Sequence, residues 1–158
     1  MIERVRGVVR AGHGVASGRG GDPRYPDGTI ALQLPVFARL GVVVPGRDLS
    51  AVHPGTVNVD LAPAVVEWVA APVTVRKVEW SAHAPPEDFS FAPCRVGPAG
   101  EPLVDAICYR PHPETKPEHE QPPGVLEVLA PWIEGLVAGE PVDMELDPTQ
   151  IIVRPDGP

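Results

Sequence analysis

Short runs of alternating apolar and polar residues dominate this chain, and each predicts a β-strand. Arg4 to Arg10, RVRGVVR, is the first. In HPGTVNVDL, from His53 to Leu61, Val57, Val59 and Leu61 form one face and Thr56, Asn58 and Asp60 the other. Pro72 to Trp80 alternates again, and FSFAPCRV and PLVDAICY are two more strands around a turn at Gly97 to Gly100. VLEVLAP is an apolar strand interrupted by one charge, Glu127, and PVDMEL and IIV are the last strands. Two short helices are expected. One spans Pro35 to Leu40, with Pro35 near its first turn and Gly41 as the stop; the other spans Pro131 to Val137.

Between these elements lie two long loops, the glycine-rich Ala11 to Gly28 and the proline-rich Arg110 to Gly124. With 22 prolines and 16 glycines in 158 residues, the chain suits many short strands joined by turns, so a β-barrel is expected rather than a helical bundle. The length fits a single domain spanning residues 1–158. A net charge of −8 with no basic stripe argues against nucleic-acid binding. No apolar run reaches the roughly 18 residues of a membrane span, and Met1-Ile2-Glu3-Arg4 lacks the apolar core of a signal peptide, so a cytoplasmic protein is expected. Cys94 and Cys108 are too few and too far apart for a zinc cluster and read as two free core thiols.

Four segments carry residue types with chemistry. Gly12, Gly14 and Gly18 in AGHGVASG allow backbone amides to converge on phosphate oxygens, with His13 among them, although a plain flexible loop has the same composition. Thr56 and Asn58 offer neutral oxygens on one strand face, a modest Mg²⁺ site of the kind that takes its other ligands from water and substrate phosphates; a solvated strand face is the alternative. Glu127 lies either on the outer face of an edge strand or in a pocket, where it would serve as a general base or hydroxyl anchor. HPETKPEHE, His112 to Glu120, is a solvated loop, a substrate-facing lid or a metal site, and its spacing matches no standard metal motif.

In order, GVVRAGHG, HPGTVNVDL, VDAICYRPHPET, VLEVLAPWIEGL and GEPVDMEL resemble the archaeal-type CTP-dependent riboflavin kinase family over roughly Gly7 to Val153. The resemblance implies a cradle-loop (RIFT-like) barrel of six to seven strands with a few short helices. It implies that Gly12, His13 and Gly14 cradle the nucleotide and that Trp132, Ile133, Glu134 and Gly135 close over its cytosine. Thr56 and Asn58 would hold Mg²⁺, and Thr115 and Glu127 would bind the polyol of riboflavin or a related small molecule. The chain departs from the family pattern in lacking two cations near the nucleotide, one after the glycine loop and one at Glu134-Gly135; Arg19, Arg24 and Lys116 are the candidate substitutes. A non-catalytic nucleotide- or metabolite-binding module on the same barrel is the alternative, as is a repurposed metal-dependent enzyme using His112 to Glu120.

Overall fold

Six of the alternating segments close on one another. The computed structural model describes residues 1–11, 23–24, 26–115 and 121–155. Its strands are β1 Glu3–Arg10, β2 Val57–Asp60, β3 Val65–Trp68, β4 Val73–Val78, β5 Glu87–Pro98, β6 Val104–Pro111, β7 Val125–Leu129, β8 Pro141–Leu146 and β9 Ile151–Arg154. One helix, α1 Thr29–Arg39, and a 3-10 turn, Leu49–Ala51, complete the elements among the described residues. The strands run β4-β5-β6-β7-β2-β1-β8, and β8 pairs back onto β5. A closed six-stranded antiparallel barrel results, with β4 as an extra strand along β5. Closure removes the exposed edges that so many short strands would otherwise leave.

Alternation sorts the side chains into two cores. Val9, Val59, Val96, Cys108, Val128 and Met144, one from each barrel strand, are buried in the interior. Ala92, Cys94, Ala106 and Cys108 are small enough for the narrow lumen of a six-stranded barrel. Both cysteines are free and buried as expected, and the hydrogen bond that the Cys108 thiol makes with Cys94, reinforced by burial, pushes that thiol well above its usual range. Val66, Trp68 and Val153 of the β3–β9 ribbon pack against this interior core, to which Ile151 belongs. The second core lies outside the barrel, where Phe89, Phe91, Ile107, Tyr109 and Leu129 meet Ile30 and Phe37 of α1. Phe37 stands edge-on to Phe89 and Phe91, with ring centroids 5.1 and 5.2 Å away. Close approach dictates one glycine: a Cβ on Gly7 would lie 2.6 Å from the carbonyl oxygen of Asp60.

Four expectations change. The helix over Pro131 to Val137 does not form; the segment turns instead, because Gly135 within it sits at φ +88°, outside the right-handed helical region. Ile133 and Leu136 nevertheless pack against the barrel core. The first helix starts at Thr29, with Pro35 in its interior; burial of Ile30, Gln33 and Phe37 along one face outweighs the hydrogen bond that proline cannot donate. Gly41 does end it, at φ +72°. The strand beginning at His53 is regular only from Val57 to Asp60, since the amide of Gly55 bonds the carbonyl of His53 in a tight turn. The short strand β3 was not expected.

Candidate functional site

Register places residues distant in sequence side by side. Arg10 of β1 lies opposite Asn58 of β2, Asn58 opposite Glu127 of β7, and Glu127 opposite Tyr109 of β6. Directly paired residues share a sheet face, so a cation, an amide, a carboxylate and a phenol form one transverse row on the outside of the barrel. Thr56, two residues before Asn58, joins the row by donating to Glu127 Oε1 at 3.4 Å. Gln121 Nε2 donates to Asn58 Oδ1 at 3.2 Å. At the other end the Tyr109 hydroxyl donates to Gln33 Oε1 at 2.5 Å, which ties α1 to the row. Burial first, then the charges of Glu127 and Glu87, push the Tyr109 phenol well above its usual range, so it stays a neutral donor.

Thr56, Asn58 and Glu127 are therefore brought together, and Glu127 is half-buried on a central strand rather than on an edge. Asn58 is more covered than a solvated strand face predicts, at 9% exposure. Two neutral oxygens, Thr56 Oγ1 and Asn58 Oδ1, stand beside the Glu127 carboxylate, donors of the type Mg²⁺ takes together with water and phosphate. Sequence reasoning missed Arg10. Its side chain is about half exposed, and its ion pair among the described residues, to Asp60, is long at 3.6 Å. The available signal was its place at the end of a strand opening into the glycine-rich loop.

The segment expected over the cytosine lies next to this row. The His53 amide donates to the Ala130 carbonyl at 2.8 Å, and the His53 ring meets Trp132 edge-on at 5.1 Å. Trp132 is largely exposed, and its indole N–H reaches Glu134 Oε1 at 3.4 Å. Gly135 faces Pro98, whose Cγ would be 3.2 Å from an added Cβ. Gly12, His13 and Gly14 lie outside the described residues, as do Arg19 and Lys116.

Thr115 is not drawn into the row. Its hydroxyl accepts from the Asp88 amide at 2.9 Å and donates to the His112 carbonyl at 3.2 Å, holding a turn after β6. In the same turn His112 is buried, with Nε2 2.6 Å from Ser90 Oγ and Nδ1 3.1 Å from Glu114 Oε1. Nothing in the local sequence around Ser90 signals this contact. No family model, no curated protein and no solved structure matches this chain.

Proposed function

We propose that the chain is a Mg²⁺- and nucleotide-dependent small-molecule kinase that phosphorylates a hydroxyl of riboflavin or a related metabolite, with CTP as the first candidate donor. The observation that carries this reading is the convergence of Thr56, Asn58 and Glu127, from two segments some seventy residues apart, with Arg10 in the same row. Phosphoryl transfer asks mainly for positioning and charge neutralisation, and these residue types supply both.

In this reading Glu127 accepts the hydrogen bond of the attacking hydroxyl and takes its proton as the new bond to the terminal phosphorus forms and that phosphorus parts from its bridging oxygen, releasing the nucleoside diphosphate. Thr56 holds the Glu127 carboxylate in place. Asn58, fixed by Gln121, presents its amide beside it. Arg10 compensates one of the cations that the family pattern would place near the nucleotide. Mg²⁺, held through Thr56 and Asn58, would neutralise the phosphates and align them. Trp132 to Gly135 provide the surface for the base.

The test is direct. The protein is incubated with riboflavin, Mg²⁺ and each of CTP, ATP, GTP and UTP, and products are followed by mass spectrometry. Flavin mononucleotide formed with CTP in preference to the others supports the proposal. Binding of a nucleotide by calorimetry without any phosphorylated product would leave a binding module, and absence of both would remove the nucleotide reading altogether.

A further inference from the structure

We propose that Ser90, His112, Glu114 and Arg110 form a second site, on the sheet face opposite Glu127, in which Ser90 is an activated nucleophile for acyl transfer from small anionic esters. Phe91 and Tyr109 share the face of Glu127 through direct register pairing; Ser90 and Arg110, each one residue away, pair with one another and face the other way.

The side chains make a continuous hydrogen-bond chain. The Thr74 and Ser90 hydroxyls lie 2.9 Å apart, Ser90 Oγ is 2.6 Å from His112 Nε2, and His112 Nδ1 is 3.1 Å from Glu114 Oε1. With Nδ1 protonated toward the carboxylate, Nε2 is the acceptor and the Ser90 proton points at it. This is the arrangement of nucleophile, base and orienting acid, recognised by geometry rather than chain order. The Glu114 carboxyl is held below its ordinary range by its own backbone amide first, and then by His112 and Arg110, so it is the anionic end of the chain. Arg110 adds a cation on the face of the nucleophile, suited to an anionic acyl group or to the oxyanion that forms on attack. Ser90 itself is buried at 3% exposure, but its hydroxyl partner Thr74 is exposed, so the nucleophile lies one side chain below the surface.

The chemistry balances without a metal or cofactor. Ser90 Oγ forms a bond to the acyl carbon while its proton passes to His112 Nε2; the leaving alcohol or phenol departs with that proton. A water then gives its proton to His112 and breaks the acyl–Oγ bond, releasing the acid and restoring the Ser90 hydroxyl. Glu114 is a positioning residue in this scheme, since it acts through His112.

The probe is a small alkyl fluorophosphonate on the full chain, followed by intact mass and peptide mapping. The expected result is one adduct per chain, on Ser90, with loss of fluoride. His112→Gln should slow its formation by about 100-fold or more. Glu114→Ala should lower the maximal rate by about tenfold while leaving the half-saturating probe concentration unchanged. With chromogenic esters, mono-4-nitrophenyl succinate should acylate about ten times faster than 4-nitrophenyl acetate, and Arg110→Met should erase that preference. No adduct on the folded wild-type chain, an adduct at another residue, or an unchanged rate in a folded His112→Gln protein overturns the proposal. The wild-type measurement decides even where a variant fails to fold.

Discussion

At the scale of single residues, the outer-face row separates chemistry from support. Glu127→Gln keeps the hydrogen bonding and removes the base, so turnover in the riboflavin assay is expected to fall by about 10²- to 10⁴-fold with the fold retained. Thr56→Ala and Asn58→Ala are expected to abolish the Mg²⁺-dependent activity, with far-UV circular dichroism unchanged in each. Arg10 belongs to a different category, because in the proposed reading it is a cation beside phosphates and acts on binding. Arg10→Met should weaken nucleotide affinity by about ten- to a hundredfold in calorimetry, reduce its salt dependence, and leave riboflavin binding alone. Equal nucleotide affinity in wild type and Arg10→Met would remove Arg10 from the site without touching Glu127. Arg10 shows how little composition says about local charge: a net charge of −8 coexists with a guanidinium that register sets in one row with Asn58 and Glu127.

Among the elements, α1 joins core to site. Phe37 is fully buried against two rings of β5, and one turn earlier Gln33 receives the Tyr109 hydroxyl. Phe37→Ala removes a large buried ring, and is expected to cost about 3–5 kcal/mol in denaturant unfolding. It should also raise the half-saturating riboflavin concentration more than that of nucleotide, because loosening α1 disturbs the Tyr109 side of Glu127 and not the Arg10 side. The helix was legible as a helix but not in extent: its apolar spacing, Ile30, Phe37 and the polar Gln33 between, runs past a proline that local rules place at a first turn. Over Pro131 to Val137 the opposite happened. Apolar residues at helical spacing are present, yet Gly135 takes a positive φ and the segment reaches the core as a turn.

Across the whole molecule, closure depends on the seam between β1, β8 and β5. Asp143, on β8, is 2% exposed and accepts from Arg6 at 2.6 Å, from Arg4 at 3.0 Å and from the Gly100 amide at 3.0 Å. Chiefly the Arg6 hydrogen bond, then the Gly100 amide and Arg4, hold its carboxyl far below the usual aspartate range. The folded chain thus binds fewer protons at this residue than the unfolded chain, whose aspartates titrate near about pH 3.9. Stability from Asp143 is complete above that pH and is lost as pH falls through it toward the depressed folded value. Thermal melts of the wild type should show a falling midpoint below about pH 4. Asp143→Asn should melt lower at neutral pH and lose part of that acid dependence; identical acid profiles would place the pH sensitivity elsewhere. By hydrogen exchange, amides of β4 and of the β3–β9 ribbon, which lie outside the closed ring, should open before those of the six barrel strands.

Local alternation was enough to read most of the strands, the free buried cysteines and the class of a small β-barrel, because side-chain period is a property of neighbouring residues. Alternation also showed that Thr56, Asn58 and Asp60 share a face, and that Glu127 interrupts an apolar strand. Which strands pair, and in what register, depends on contacts between residues far apart in the chain, and that is where the sites are made. β2 beside β7 puts Asn58 against Glu127, β1 beside β2 adds Arg10, and the turn after β6 brings His112 onto Ser90, leaving Thr115 to hold that turn. A slip of one residue in any of these pairings would send each side chain to the other face of the sheet, so no reading of one strand at a time could have joined them.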